Sequence, residues 1–137
     1  ANLMRLFRQI YQFANFCGTT PCQIALADYM QQHPEHIQEL PDFYQAKRDL
    51  FNAQIENSRF KLIPSQGTYF QSLDYSAIRP DLNDIEMCQF LAEQHKIVAI
   101  RISVFYKNAP DDLRLIRFCF AKTDQTLQHA GEILVRC

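Results

Sequence analysis

The sequence predicts an α+β domain in which helices come first and a small sheet of about four strands, covered by helices, follows. Apolar residues recur at helical spacing through the first part of the chain, and the period changes from helical to two after Asn57. Two apolar runs of strand length then lie near the C-terminal end. We therefore expect one domain over residues 1–137, mainly helical over 1–57 and with a small sheet and covering helices over 58–137.

Helical periodicity begins at the first residues, where Leu3, Phe7, Ile10 and Ala14 fall on one helix face. No helix-start signal precedes them, so we expect the chain to open in mid-structure. The alternative is that the residues before Met4 are tag remnants. Gly18 interrupts this pattern. A second helix is then predicted from the TPCQ segment at residues 20–23, in which Thr20 is the cap, Pro21 takes the first helical position and Gln23 completes the spacing of a capping box. It should end at His33, because a residue before proline prefers extended geometry.

A short helical segment over residues 35–39 and a longer helix over residues 42–56 are expected next, separated by Pro41, which is suited to the start of a helix. Phe60 and Leu62 alternate with Lys61, residues 64–67 provide a turn, and residues 68–73 favour a second strand. The alternation predicts a hairpin.

Asn83 and Glu86 have the spacing of a capping box and predict a helix over residues 84–95, ended by Lys96. Residues 97–102 and 113–121 are two strand-length runs that are too apolar for an exposed edge. The connection over residues 104–112 should be irregular. Thr123 is a good cap for a last helix that extends through Leu134.

Composition limits the function. The 137 residues include 14 basic and 15 acidic side chains and carry a net charge of −1, so we expect no nucleic-acid or membrane partner. The five cysteines are odd in number, so we expect reduced thiols. Neither the cysteines nor the four histidines have the spacing of metal ligands, so we expect no metal site. No membrane span or secretory signal is recognisable, which predicts a cytoplasmic protein.

The strand over residues 113–121 holds the candidate site residue. Arg117 lies in its middle and shares a face with apolar neighbours, whereas Arg114 lies near the strand end, where water is within reach. A desolvated guanidinium needs an anion because arginine keeps its proton. Arg117 is therefore a candidate receptor for a carboxylate ligand. The alternative is an internal salt bridge, for example with Asp74 or a helix carboxylate.

Gly67 precedes a strand, where it either forms a turn or allows a ligand to approach the backbone closely. Several segments, taken together and in order, then resemble fold-type I aminotransferases of class I/II, most nearly the methionine and kynurenine aminotransferase branch. These segments cover nearly all of the chain and are TPCQ and ALAD (residues 20–23 and 25–28), LPDFY with KR (40–44 and 47–48), GTYF (67–70), DYS (74–76), SVF (103–105) and IRFCFAK (116–122).

The resemblance implies a fold like the C-terminal small domain of these enzymes. It gives Arg117 the role of binding the substrate α-carboxylate, and it places Gly67 and Tyr69 near the substrate entrance. It also aligns Phe16 with an aromatic residue that lines the site of the neighbouring subunit in some relatives, although Gly18 and Thr19 depart from the usual residues of that loop. The implied whole enzyme is a homodimer that uses pyridoxal phosphate, an amino acid of methionine or aromatic type, and a 2-oxo acid.

In that family the lysine that binds the cofactor, the acidic partner of its pyridine nitrogen and the phosphate-binding groups precede the segment seen here. The lysines of this chain lie on predicted helices, strand edges or loops, so we assign no catalytic or cofactor-binding residue to it. We expect a fragment that holds no cofactor and is inactive alone. The alternatives are a stand-alone small-molecule-binding or interaction module and a degenerate gene remnant.

Overall fold

A computed structural model describes residues 2–137 and contains, within them, five α-helices and four strands. A single π-helical turn at Leu91–His95 continues the fourth α-helix, and a 3₁₀ turn at Ser103–Phe105 follows the third strand. The helices are α1 Asn2–Ala14, α2 Thr20–Gln32, α3 Pro34–Ile55, α4 Asp84–Phe90 and α5 Asp124–Val135. The strands are β1 Lys61–Ile63, β2 Phe70–Asp74, β3 Ile100–Arg101 and β4 Leu115–Cys119. The predicted α+β class with four strands is confirmed.

Two compact units make up the chain, residues 1–40 and residues 41–137. In the first unit, α2 begins one residue earlier than the sequence indicated. Its cap is Thr19, whose side chain forms no capping hydrogen bond. The predicted capping box of Thr20 and Gln23 is wrong, because Thr20 already belongs to the helix and no longer occupies the cap position. The predicted end at His33 is confirmed, since His33 is the C-terminal cap and its N–H bonds to the carbonyl of Tyr29.

The prediction of two helices separated at Pro41 is wrong, because α3 runs through it without a break. A proline in a helix interior lacks the N–H that would bond to the carbonyl four residues earlier, here that of Ile37. The remaining turns keep their hydrogen bonds, so this long helix tolerates the loss. Proline at a first helical position and proline inside a helix look alike in a sequence when apolar residues recur on both sides.

The second unit is built on an antiparallel sheet with the strand order β1-β2-β4-β3. The predicted hairpin is confirmed by the pairing of β1 with β2, and β4 is central as expected. The prediction for residues 97–102 is wrong, because β3 is a two-residue strand at the edge of the sheet. Alternate residues of that run are buried, Ile97 and Ala99, whereas Val98 is 81% exposed. Only one face of this run therefore packs against the core.

One face of the sheet and three helices enclose the core of the second unit. On β4 the inward side chains are Ile116 and Phe118, and Phe120 continues the same face. The helices contribute fully or nearly fully buried side chains from α3, α4 with its π-helical turn, and α5: Phe51, Ile55, Met87, Leu91, Leu127 and Leu134. Apolar burial of this kind contributes roughly 1.5–3 kcal/mol per large side chain. The opposite face of β4 is only half-buried and remains available for a site.

Three of the helix ends next to this sheet lie at residues that the sequence predicted. Asn83 and Glu86 form the expected reciprocal capping box at the start of α4. Thr123 caps α5 by accepting a hydrogen bond from the Thr126 N–H. Lys96 ends the π-helical turn in the left-handed conformation, at a φ of 59°. These three predictions are confirmed.

Candidate functional site

Arg117 is the third residue of β4 and is paired on both sides. Ser72 of β2 lies opposite it on one side and Ile100 of β3 on the other. Its neighbours along the strand, Ile116 and Phe118, point into the core, so the Arg117 side chain projects from the other face. A central strand held by two ladders gives this guanidinium a rigid backbone support.

Two aromatic rings enclose the guanidinium of Arg117. Its central carbon lies 4.0 Å from the centre of the Phe70 ring and 4.4 Å from that of Phe105. Each contact is a cation–π interaction, of about 0.5–2 kcal/mol depending on how far water is excluded. Because both rings lie against the guanidinium, the N–H groups that they leave uncovered are the part available for a ligand.

Within residues 2–137, no anionic side chain pairs with the Arg117 guanidinium. Its Nε is buried and lacks a hydrogen-bond partner, and among residues 2–137 no carboxylate forms a salt bridge with it. The internal ion pair with Asp74 is not formed, since that carboxylate accepts from the Ser76 N–H at 2.8 Å and Asp74 lies opposite Leu115. A buried charged donor without a partner costs free energy, so the site calls for an acceptor from outside.

A cavity of about 330 Å³ opens beside Arg117. Its lining residues combine apolar walls, hydroxyl groups and this single cation: Ile63, Pro64, Ser65, Thr68, Phe70, Ser72, Ile102 and Arg117. The hydroxyl of Ser65 is already committed to the carbonyls of Gly67 and Phe70. A planar guanidinium at the wall of such a cavity suits a carboxylate, which it binds through two parallel hydrogen bonds.

Arg114, in contrast, donates hydrogen bonds to carbonyls of the chain itself. Its Nε donates to the Pro80 carbonyl and its Nη1 donates to the carbonyls of Asp111 and Leu113. Its bonds to Pro80 and Asp111 lie in exposed surroundings, so the expectation that water is within reach of Arg114 stays open. Arg114 and Arg117 thus differ, although they are three residues apart. Arg114 donates to carbonyls of the chain, whereas Nε of Arg117 has no acceptor within residues 2–137.

Gly67 and Tyr69, the predicted entrance residues, flank the cavity but are not among its lining residues. Gly67 is exposed and has no positive φ, and a Cβ added to it would meet nothing within 4 Å. Tyr69 is 44% exposed and lies against Tyr44 and Phe70. The unusual backbone is that of Thr68, with a φ of 63°. The entrance role of Gly67 and Tyr69 stays a prediction.

Phe16 lies in the first unit, in the segment between α1 and α2, and is 87% exposed. Its assignment to the site of a neighbouring subunit stays a prediction.

Sequence reasoning missed two aromatic residues that shape the site. Phe70 had a usable signal, because a period of two along β2 places it on the face of Ser72, which pairs with Arg117. Phe105 had no periodic signal, because it reaches Arg117 from an irregular connection.

The ionisable groups with strongly shifted pKa values lie outside the cavity. Burial raises the pKa of the Tyr75 hydroxyl to about 12 and that of the Cys88 thiol to about 11. Burial also raises the pKa of the Cys137 thiol. All five cysteines are free. Residues 2–137 hold no cluster of three or more metal-ligating side chains, and none of the helices described is long and apolar enough to cross a membrane.

The candidate site is thus an arginine in contact with two aromatic rings, on an interior strand of the antiparallel sheet of an α+β domain. The chain belongs to the family "Aminotransferase class I and II", whose sequence model matches residues 1–134.

Within this family, the chain is similar to several individual proteins. The chain is 45% identical over 127 residues to the methionine aminotransferase of Escherichia coli, covering 93% of this chain and 32% of that enzyme. It is 30% identical over 150 residues to mouse kynurenine–oxoglutarate transaminase 3, covering 97% and 33%. A crystal structure of an E. coli protein with a methionine aminotransferase function superposes with a TM-score of 0.84 and 43% identity, over 95% of this chain and 34% of that one. The chain thus spans about a third of the length of these relatives.

The residues that line the Arg117 cavity include no amine that could form a Schiff base with the aldehyde of the family's cofactor. No lysine lines the cavity, and two of the lysines are engaged elsewhere. Lys47 forms an ion pair with Asp124 at 2.6 Å, and the Lys96 amine donates to the Glu93 carbonyl. We therefore derive no chemical step through the cofactor from this chain.

Proposed function

We propose that this chain is the substrate-carboxylate-binding C-terminal part of a pyridoxal-phosphate-dependent aminotransferase. The observation that carries the proposal is Arg117, whose buried Nε has no partner in residues 2–137 and whose side chain lines a cavity. The whole enzyme transfers an amino group from an amino acid to a 2-oxo acid. Membership of the aminotransferase family supports this assignment.

The amino donor is proposed to be methionine or an aromatic amino acid. The names of the E. coli and mouse relatives, a methionine aminotransferase and a kynurenine–oxoglutarate transaminase, support this choice. The apolar side chains near the guanidinium, among them Ile63, Ile102 and Phe70, are compatible with a substrate that carries no second charge.

Arg117 has a binding and orienting role in this proposal. Its in-plane N–H groups hold the α-carboxylate, and the rings of Phe70 and Phe105 fix the plane in which the carboxylate must approach. A substrate fixed at its carboxylate presents its α-carbon in one direction, which lowers the entropic cost of reaction. Pyridoxal phosphate, held by other parts of the enzyme, supplies the electron sink for removal of the α-proton.

The chain alone neither binds the cofactor specifically nor transaminates. The whole enzyme is a homodimer, with Phe16 lining the site of the neighbouring subunit. It works in the cytoplasm, which agrees with five cysteines in the free state.

Replacement of Arg117 by alanine in the whole enzyme tests the function. We expect kcat/KM for the amino donor to fall by roughly 100-fold, which corresponds to losing a charged hydrogen-bonded contact. Arg117→Lys should restore only part of the loss, because an ammonium cannot form the two parallel bonds. Arg101→Ala is the matched control, an exposed arginine on the neighbouring strand.

A second measurement separates binding from chemistry. The affinity for 3-phenylpropionate should fall in Arg117→Ala, whereas the affinity for 3-phenylpropanol, which lacks the carboxylate, should not. Kinetics unchanged in Arg117→Ala would remove this residue from the substrate site.

A further inference from the structure

We propose that Asp84 is a positioning residue for the Arg117 site, an inference that rests on the proposed function of that site. Asp84 is the first residue of α4 and is only 5% exposed. Its Oδ2 accepts a hydrogen bond of 2.7 Å from the backbone N–H of Ser103, which lies 19 residues further along the chain. A carboxylate this deeply buried requires such a partner.

Ser103 begins the 3₁₀ turn that carries Phe105. Within the turn, the Phe105 N–H bonds to the Ile102 carbonyl at 3.1 Å, and the Tyr106 N–H bonds to the Ser103 carbonyl at 3.0 Å. The Phe105 ring lies 4.4 Å from the guanidinium carbon of Arg117, and Ile102 lines the cavity. Asp84 therefore anchors the segment that supplies one aromatic cover of the guanidinium and one wall of the cavity.

Phe105 depends on this anchor because little else holds it. The ring is 59% exposed, and the preceding residue, Val104, is 48% exposed. The position of Phe105 over Arg117 is consequently set by the backbone of the turn rather than by packing around the ring. The first N–H groups of a helical turn have no acceptor within it, so the charged oxygen of Asp84 supplies the contact that fixes where the turn starts.

A purely local role in capping α4 is already filled by other residues. Asn83 accepts from the N–H groups of Ile85 and Glu86, and the Glu86 carboxylate accepts from the Asn83 N–H. Glu86 thus offers a matched comparison, an acidic side chain on the same helical turn that stabilises α4 without contacting the segment of Phe105.

The test compares Asp84→Ala, Asp84→Asn and Glu86→Ala in the whole enzyme. Asp84→Ala should weaken 3-phenylpropionate binding and raise KM for the amino donor by about tenfold, through loss of one aromatic cover of the guanidinium. Asp84→Asn keeps an oxygen acceptor and should bind within about threefold of wild type. Glu86→Ala should lower the melting temperature but leave 3-phenylpropionate affinity unchanged. If Asp84→Ala does not fold, Asp84→Ser, with a shorter acceptor, replaces it.

A double-mutant cycle with Phe105→Ala distinguishes positioning from general damage. If Asp84 acts through Phe105, adding Asp84→Ala to Phe105→Ala should produce no further loss of affinity. Additive losses, or wild-type affinity in Asp84→Ala, would overturn the positioning role. That result stays separate from the proposed function, which fails only if Arg117→Ala itself leaves carboxylate binding unchanged.

Discussion

Phe70 lies diagonally across the sheet from Arg117, one pleat along β2 from Ser72, the residue directly opposite. Diagonal neighbours on antiparallel strands are about 7–8 Å apart at their Cα atoms, within reach of long side chains. The ring of Phe70 and the guanidinium accordingly meet at 4.0 Å. Strand register thus sets one of the two aromatic contacts in the site.

Replacement of Phe70 by leucine should loosen the guanidinium. The aliphatic side chain fills part of the space but has no ring face, so about 0.5–2 kcal/mol of cation–π attraction is lost. We expect KM for the amino donor to rise by about 3- to 10-fold in the whole enzyme. Phe60→Leu is the control, since Phe60 is buried in the core against Phe118. Equal effects of the two changes on KM would contradict a specific role for Phe70.

Thr68 stores backbone strain beside the cavity. Its φ of 63° lies in the left-handed region, which costs a β-branched residue roughly 1–3 kcal/mol. Thr68→Gly should therefore raise the free energy of unfolding by about 1 kcal/mol, measured by denaturant titration. Thr68 lines the cavity, and glycine removes its side chain from the wall. The same change should therefore lower kcat/KM for the amino donor in the whole enzyme.

Gly67→Ala is the comparison for Thr68→Gly. Gly67 has no positive φ and open space where a Cβ would lie, so alanine should leave stability unchanged or raise it by about 0.4–1 kcal/mol. Destabilisation by Gly67→Ala, together with no gain from Thr68→Gly, would show that the strain lies at the glycine instead.

Gly67 and Thr68 show which features could be predicted from the sequence and which could not. Periodicity and capping patterns were sufficient for the α+β class, for the hairpin and for the helix that starts after Asn83, because each depends on contacts within a few residues. The sequence also singled out Arg117, because a charge inside an apolar strand is anomalous wherever it occurs. It could not predict that Thr68 rather than Gly67 has a positive φ, since that depends on how the turn meets β2.

Long-range contacts were beyond the reach of such patterns. Asp84 and Ser103 are separated by 19 residues, and their hydrogen bond follows from the packing of α4 beside the end of β3. The edge position of β3 was missed for a related reason, because an apolar run does not reveal whether a partner strand lies on one side or on both.

Alkaline pH should destabilise the second unit through Tyr75. Burial raises the pKa of this hydroxyl from 10.0 to about 12, so the folded state holds its proton where the unfolded chain has released it. The stabilisation is complete below pH 10 and is lost as the pH rises from 10 to about 12. Absorbance at 295 nm should reveal a late-titrating tyrosine that is absent in Tyr75→Phe. An unchanged titration curve in Tyr75→Phe would contradict the assignment.

The isolated chain mixed with pyridoxal phosphate should show no stoichiometric covalent adduct. An adduct requires a deprotonated amine held beside groups that bind the cofactor phosphate. In this chain the Lys47 amine is paired with Asp124, the Lys96 amine donates to a carbonyl, and no lysine lines the Arg117 cavity. Exposed lysines should give only weak absorbance near 420 nm that rises linearly with cofactor concentration. Saturation at one equivalent, with mass spectrometry locating the reduced adduct on a single lysine, would instead mean that this segment has a cofactor site of its own.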